Sequence, residues 1–308
     1  MHWQTTRFLI DLSTPKVMGI VNVTPDSFSD GGRYASCDAA VAHCAQLVHD
    51  GADILDIGGE STRPGAVALS LQEELDRVMP VLEYALGLGV PVSVDSYKPA
   101  LMQAALEAGA DVINDVWAMR WRDPADGLAA GNVIAAHGRC GVCLMHMHRD
   151  PQTMQVQPME GDVLPHVLQF LKQQAQYLQG LGVHSDRISL DPGIGFGKTV
   201  PQNFALLARQ RELLSLGYPV LAGWSRKSSL AAVIGSEAGS GGGQGSHERM
   251  VASVSAALIA VQQGAGIVRV HDVKPTVQAL AVLAAVQAQA KPQEPALTGA
   301  NNTQRVLP

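Results

Sequence analysis

The sequence predicts an α/β protein, a single-domain (β/α)8 TIM barrel. Three observations predict it. Eight short apolar, β-branched runs are spread along the 308 residues. Helical patterns fill the intervals between them. Each run ends in polar residues, an arrangement that gathers chemistry at one mouth of a closed parallel barrel. A barrel of this kind fills ~250 residues. An open doubly wound sheet is the alternative, but it would show a Gly-rich turn after its first strand. Here the first run leads into Asn22-Val23-Thr24-Pro25-Asp26 instead.

Taken in order, residues 2–10 are predicted to form one short strand closing the barrel floor. The eight runs are Val17–Val21, Asp53–Ile57, Val90–Val94, Val112–Asn114, Val142–Met145, Ile188–Asp191, Pro219–Ala222 and Ile267–Val270. They are nearly all apolar rather than alternating, the pattern of parallel strands covered on their outer face. Val41, Cys44, Ala45 and Val48 mark the buried face of one helix. Val167, Phe170, Leu171 and Leu178 mark a second, and Met250, Val254, Ala257, Leu258 and Val261 a third. Gly51, Gly89, Gly109 and Gly182 stand where helices end and strands begin. Ser236–Ser246 (SEAGSGGGQGS) is predicted to be a flexible loop. The catalytic barrel is expected to span 1–290, and residues 291–308, polar with prolines, to be a disordered tail.

Composition bounds the function. The net charge of −6 disfavours non-specific nucleic-acid binding. An anionic ligand would have to be held by local groups. The start, Met1 to Asp11, lacks a basic segment followed by an apolar run, and no stretch is long enough to span a membrane. A cytoplasmic protein with reduced thiols is expected. Cys140 and Cys143 form a C-x-x-C, a redox pair or half a zinc site in principle. No second pair follows at zinc spacing, and Cys143 lies within an apolar run, so buried small side chains are expected. His146-Met147-His148 suggests a metal pair but lacks further ligands at suitable spacing.

The strand ends carry the chemistry: Asn22, Glu60-Ser61-Thr62-Arg63, Asp95-Ser96, Asn114-Asp115, His146, Asp191, Ser225-Arg226-Lys227 and Arg269-Val270-His271. Any one of them reads equally well as a cap, a turn or a surface charge. Their occurrence at all eight runs is what points to a site. The segment Asp191–Thr199 (DPGIGFGKT) fits neither phosphate-loop pattern. Its glycines are expected to let backbone approach a flat ligand held by Asp191.

Eight motifs, in order along the chain, carry a resemblance to the dihydropteroate synthase family. They are MGIVNVTPDSFSDGG from Met18, DIGGESTRPGA from Asp56, VDSYKP from Val94, INDV from Ile113, LMHM from Leu144, DPGIGFGKT from Asp191, GWSRKS from Gly223 and RVHDV from Arg269. The resemblance implies a transferase of tetrahydrofolate biosynthesis. Such an enzyme joins (7,8-dihydropterin-6-yl)methyl diphosphate to 4-aminobenzoate and releases 7,8-dihydropteroate and diphosphate. It further implies a Mg2+ cofactor, a homodimer formed through outer helices, sulfonamide sensitivity, and no nucleic-acid or membrane partner.

Residue roles follow from the same resemblance. Pterin contacts fall to Asp95, Asn114, Met145, Asp191, Phe196, Gly223 and Lys227. A carboxylate such as Asp191 suits the adjacent N–H donors of the pterin edge, and the Asn114 amide offers both a donor and an acceptor. Diphosphate contacts fall to Asn22, Thr62, Arg63, Arg269 and His271, with Asn22 the metal ligand. The amine subsite takes Phe28, Thr62, Pro64 and Ser225. Catalytic roles are implied for Asp30, Arg63, Lys227 and Arg269, with Asp30 stabilising a cationic methylene after dissociative C–O cleavage. Two rival readings are a methyltetrahydrofolate-dependent corrinoid methyltransferase and a non-catalytic pterin-binding paralogue. Thr62-Arg63 and Arg269-Val270-His271 argue against the first, and the intact first two loops against the second. The segment Trp117-Ala-Met-Arg-Trp121, Trp224 and the long Gly-rich loop depart from the family pattern.

Overall fold

The computed structural model describes residues 1–23, 32–61, 67–235 and 243–290. The chain opens with an antiparallel hairpin of β1 (His2–Gln4) and β2 (Leu9–Asp11). The barrel strands are β3 (Lys16–Asn22), β4 (Ile54–Gly58), β5 (Val92–Asp95), β6 (Val112–Asp115), β7 (Gly141–Met145), β8 (Ile188–Asp191), β9 (Leu221–Ala222) and β10 (Ile267–Val270). Their order is β8-β7-β6-β5-β4-β3-β10-β9, with every barrel pair parallel. A parallel bridge between Leu190 and Val220 joins the two ends, completing the ring. The helices are α1 (Gly32–His49), α2 (Leu71–Ala85), α3 (Pro99–Ala108), α4 (Ala130–His137), α5 (Leu164–Gly180), α6 (Val200–Ala208), α7 (Ser228–Ile234), α8 (Gly243–Gln262) and α9 (Val273–Ala290).

Strand alternation sorts the core into two layers. Outward residues such as Val17, Leu55, Ile57, Val94, Ile113, Val142, Leu144, Ile188 and Val268 pack against helix residues in one large buried cluster. Inward residues at the N-terminal end of the barrel form a second cluster. Met18, Ile54, Val112, Cys143, Leu221 and Ile267 meet Trp3 and Ile10 of the hairpin there. The hairpin is thus a plug. Its indole Nε1 donates to Arg187 O at 3.0 Å. Its turn is tied down by Arg7, whose guanidinium grips the buried Asp111 carboxylate at 2.6 Å.

Several expectations are corrected in detail. Residues 2–10 are part of two strands, because the turn at Thr5–Phe8 reverses the chain; Thr5 N–H donates to Phe8 O at 2.8 Å. The run Pro219–Ala222 shortens to Leu221–Ala222, since proline has no N–H to give a ladder. In α8 the buried face is Ser253, Ala256, Ala257 and Ala260, so small residues approach the barrel and the larger Val254, Leu258 and Val261 flank them. The predicted punctuation glycines all take positive φ, from 78° at Gly89 to 109° at Gly109. The Gly-rich segment passes into α8 at Gly243, and its residues 236–242 lie outside the described residues, as does the predicted tail. Cys140 and Cys143 are buried free thiols.

Candidate active site

The ladder register carries the predicted polar residues to one place. Asn22 pairs with Gly58, Gly58 with Asp95, and Asp95 with Asn114. Met145 pairs with Asp191. Arg269 pairs with Met18, an inward residue, so its side chain enters the barrel. Paired residues in a parallel ladder share a face, and these sit at the C-terminal strand ends.

An ion cluster occupies the centre. Arg269 Nε donates to Asp56 Oδ2 at 2.5 Å and its Nη2 to Asp95 Oδ2 at 2.7 Å. Asn114 Nδ2 donates to the same Asp56 oxygen at 3.1 Å. Burial alone would lower the Arg269 pKa, but Asp56 and Asp95 outweigh it and hold the guanidinium charged. Burial pushes Asp95 up, with Asp56 adding to it, against the pull of Arg269. Three carboxylates, Asp56, Asp95 and Asp191, thus act on one arginine.

Asp191 is buried, and burial raises its pKa. Its Oδ1 accepts the Gly193 N–H at 2.7 Å. The loop beyond it is shaped by backbone. Gly193 has φ +69°, and a Cβ there would stand 1.9 Å from His146 O, so no other residue fits. Lys198 holds this loop from inside. Its buried ammonium donates to Gly193 O (2.8 Å), Phe196 O (3.1 Å) and His146 O (3.3 Å), and contacts His146 Nδ1 at 2.9 Å. Burial lowers the Lys198 pKa to about 7. His146, whose His146-Met147-His148 segment lacks the further ligands a metal would need, is engaged by this lysine, and burial pushes its pKa down to about 2. The same loop sets Phe196 beside Met145, Val116, Met147 and Met154 in an apolar wall. Lys227 Nζ lies over the Phe196 ring at 4.3 Å.

On the other side, Ser225 and His271 are in contact. The Ser225 hydroxyl accepts the His271 N–H at 3.1 Å and meets its Nδ1 at 2.9 Å. Arg226 takes a positive φ of 57° and is fixed by Asp272 at 2.7 Å and by Ser253 Oγ, which accepts its N–H. Gly223 faces Asp191, where a Cβ would meet Oδ2 at an ordinary 3.8 Å.

The structure brings Asp95, Asn114, Met145, Asp191, Phe196, Gly223, Lys227 and Arg269 together, with Ser225 paired to His271 and Asn22 at its strand end. Phe28, Asp30, Thr62, Arg63 and Pro64 lie outside the described residues. Arg269, assigned to diphosphate, is bonded here to two aspartates. Sequence reasoning assigned no role to four residues of the site, although it placed two of them, Glu60 and Asp115, among the polar strand ends. Asp56 is one; its signal was a charge inside the run Ile54-Leu55-Asp56-Ile57, where burial makes a carboxylate conspicuous. Asp115 is another. Its oxygens accept Trp117 N–H (2.8 Å) and Met119 N–H (2.6 Å), which holds Ala118 and Met119 at positive φ. Burial pushes Asp115 up to about 7, though those N–H donors oppose the shift. Glu60 and Lys98 form the base of the second loop. Lys98 bridges Glu60 and Glu74 at 2.5 Å each, and Glu60 accepts the Leu69 N–H.

The family model described as pterin binding enzyme matches residues 18–271. A dihydropteroate synthase of Neisseria meningitidis serogroup C is 47% identical over 281 residues, covering 90% of this chain and 95% of that protein. The solved Burkholderia cenocepacia dihydropteroate synthase complexed with 7,8-dihydropteroate superposes with a TM-score of 0.81 at 47% identity, covering 94% of this chain and 97% of that one. The Xanthomonas albilineans enzyme with 4-aminobenzoic acid gives a TM-score of 0.81 at 47% identity, covering 91% and 96%.

Proposed function

The chain belongs to the dihydropteroate synthase family of pterin binding enzymes, and on that premise we propose how its residues condense (7,8-dihydropterin-6-yl)methyl diphosphate with 4-aminobenzoate. The observation that carries the assignment is the convergence of Asp95, Asn114 and Asp191 at the C-terminal ends of β5, β6 and β8 beside the Met145 and Phe196 wall. Asp191 accepts the paired N–H donors of the pterin edge, Asn114 and Asp95 complete its hydrogen bonds, and Lys227 donates to it. Such a site rejects rings lacking those donors, because its buried acceptors would be left unpaired.

Arg269, His271, Thr62 and Arg63 take the diphosphate, and α9 begins two residues after His271. Mg2+ is proposed as cofactor with Asn22 as its protein ligand. The half-buried Asn22 side chain supplies one neutral oxygen, which fits a hard cation that takes its other oxygens from diphosphate and water. When bound, the ion would offset charge on the diphosphate. Phe28, Thr62, Pro64 and Ser225 receive 4-aminobenzoate.

The arylamine is neutral at pH 7 and needs no base before attack. We therefore assign dissociative C–O cleavage, with the electron-rich dihydropterin carrying the positive methylene and Asp30 stabilising it. The amine nitrogen then forms the new C–N bond and loses its proton. Bridging-to-nonbridging oxygen scrambling in the diphosphate without 4-aminobenzoate is the expected mark of this route; strict dependence of cleavage on the amine overturns it. The function itself is tested with purified protein, both substrates and Mg2+. Formation of 7,8-dihydropteroate, suppressed competitively by a sulfonamide against 4-aminobenzoate, is expected; absence of product refutes the reading.

We also propose that residues 1–290 act as one catalytic domain, and that the chain is a homodimer. An apolar groove of about 530 Å³ runs between α6, α7 and α8, lined by Phe204, Leu230, Val233, Ile234, Val251 and Ile259. Val233 is 63% exposed and Val251 50%, which favours a covered face in the assembly. Sedimentation at micromolar concentration tests it. No described helix is long and apolar enough to cross a membrane. Free thiols at Cys37, Cys44, Cys140 and Cys143 suit the proposed cytoplasmic location.

A further inference from the structure

Asp56 stands out among the buried groups that the mechanism above does not use. It is 0% exposed and sits mid-strand in β4, one inward step below the mouth. One of its oxygens serves two donors, Asn114 Nδ2 and Arg269 Nε. The other, Oδ1, has no hydrogen-bond partner among the described residues. Its register partner in β5, Ser93, is also fully buried with an unpartnered hydroxyl. A half-satisfied buried carboxylate is destabilising. Folds tolerate such breaches of local consistency chiefly where a site uses them.

The amide chemistry says what the use is. Asn114 has one donor end and one acceptor end. With Asp56 as an acceptor-only neighbour, the NH2 end must face Asp56, which leaves the Asn114 carbonyl for the substrate. The same carboxylate oxygen anchors the Arg269 guanidinium, whose second nitrogen reaches Asp95. We infer that Asp56 is a positioning residue of the pterin site: it fixes the Asn114 amide in the orientation that presents its carbonyl to the ring, and it anchors Arg269 beside Asp95. This deepens the proposed reading and rests on it.

The test is Asp56→Asn, with KM for each substrate and thermal stability measured together. An asparagine at 56 presents either an oxygen or an NH2, so the Asn114 orientation is no longer dictated. The expected result is a KM for the pterin diphosphate raised about tenfold, the worth of one charge-assisted hydrogen bond. KM for 4-aminobenzoate is expected to stay unchanged, and the melting temperature to move little, since the loss of a buried charge and the loss of one Arg269 partner oppose each other. A purely structural role would give the reverse, a lower melting temperature with unchanged pterin KM, and that overturns the inference. Repeating the substitution in an Asn114→Ala background probes the route. Loss of most of the pterin effect there is expected; full additivity sinks the link through Asn114. Asp56→Ser is the second variant, read in the same way. If neither folds, Asp56 is structural and the inference fails. Failure of the wild type to make 7,8-dihydropteroate would instead remove the functional reading beneath it.

Discussion

The two ends of the barrel are built from the same inward strand positions and do opposite things with them. At the floor, Met18, Ile54, Val112, Leu221 and Ile267 close on Trp3 in an apolar cluster. Two residues further along the same strands stand Asp56, Asn114, Gly223 and Arg269, in or beside a cluster of ions and amides. The strands therefore change character along their length while the backbone does not. Burial at the floor is stabilising, since apolar area is removed from water. Burial at the mouth opposes stability, since it raises the pKa of Asp95, Asp115 and Asp191. Stability and recognition are thus separated along one axis, and substitutions at each end should report on one property alone.

The strongest attempt to break that separation is Trp3→Ala. It should lower unfolding free energy by about 3–5 kcal/mol, the usual loss for a buried aromatic, measured by urea unfolding. Both KM values should stay put in the folded fraction; a KM shift exceeding the stability loss would mean that the plug also shapes the mouth. Next in size, Asp191→Asn should cut kcat/KM for the pterin diphosphate by roughly 30–150-fold, about 2–3 kcal/mol for hydrogen bonds to a charged group. Its melting temperature should not fall by more than a few degrees.

A smaller effect sharpens the comparison through pH. The folded pKa of Asp115 is raised from the ordinary 3.8 to about 7. Its native state therefore holds a proton more tightly than the unfolded chain does. Stability from this group is full below about pH 4 and is lost as pH rises through about 7. Relative to wild type, Asp115→Asn should accordingly look better at pH 8 than at pH 5, by a few degrees in melting temperature; a gap independent of pH would refute the assignment. The smallest expected change is Ser225→Ala. Loss of one hydrogen bond, about 1 kcal/mol, should raise KM for 4-aminobenzoate several-fold, with a smaller rise for the pterin diphosphate through the His271 that Ser225 contacts.

Much of this organisation was legible along the chain. Apolar runs located all eight strands because parallel strands are buried on both faces, and polar strand ends located the mouth. What escaped has a common cause. The pairing of Arg269 with Asp56 spans 213 positions, and no local pattern encodes it. Asp56 was absorbed into an otherwise apolar strand. The hairpin was missed because Thr5–Phe8 has no Asn-Gly or Asp-Gly turn signal. Lys198 had no role of its own within the DPGIGFGKT segment, and only the fold shows it buried beneath that loop at 3% exposure.

That lysine has a consequence for how the site can change over generations. Gly193 cannot accept a side chain against His146 O, Gly197 cannot accept one against the His148 Cβ at 2.6 Å, and Lys198 has four polar partners to satisfy at once. A mutational path toward evading a pterin-shaped inhibitor finds no single step through this loop. The half-buried Trp117 and Trp121, packed tilted and edge-on with Tyr97 at the rim, present side chains rather than bare backbone. Adaptive variation is expected to gather on that side of the mouth.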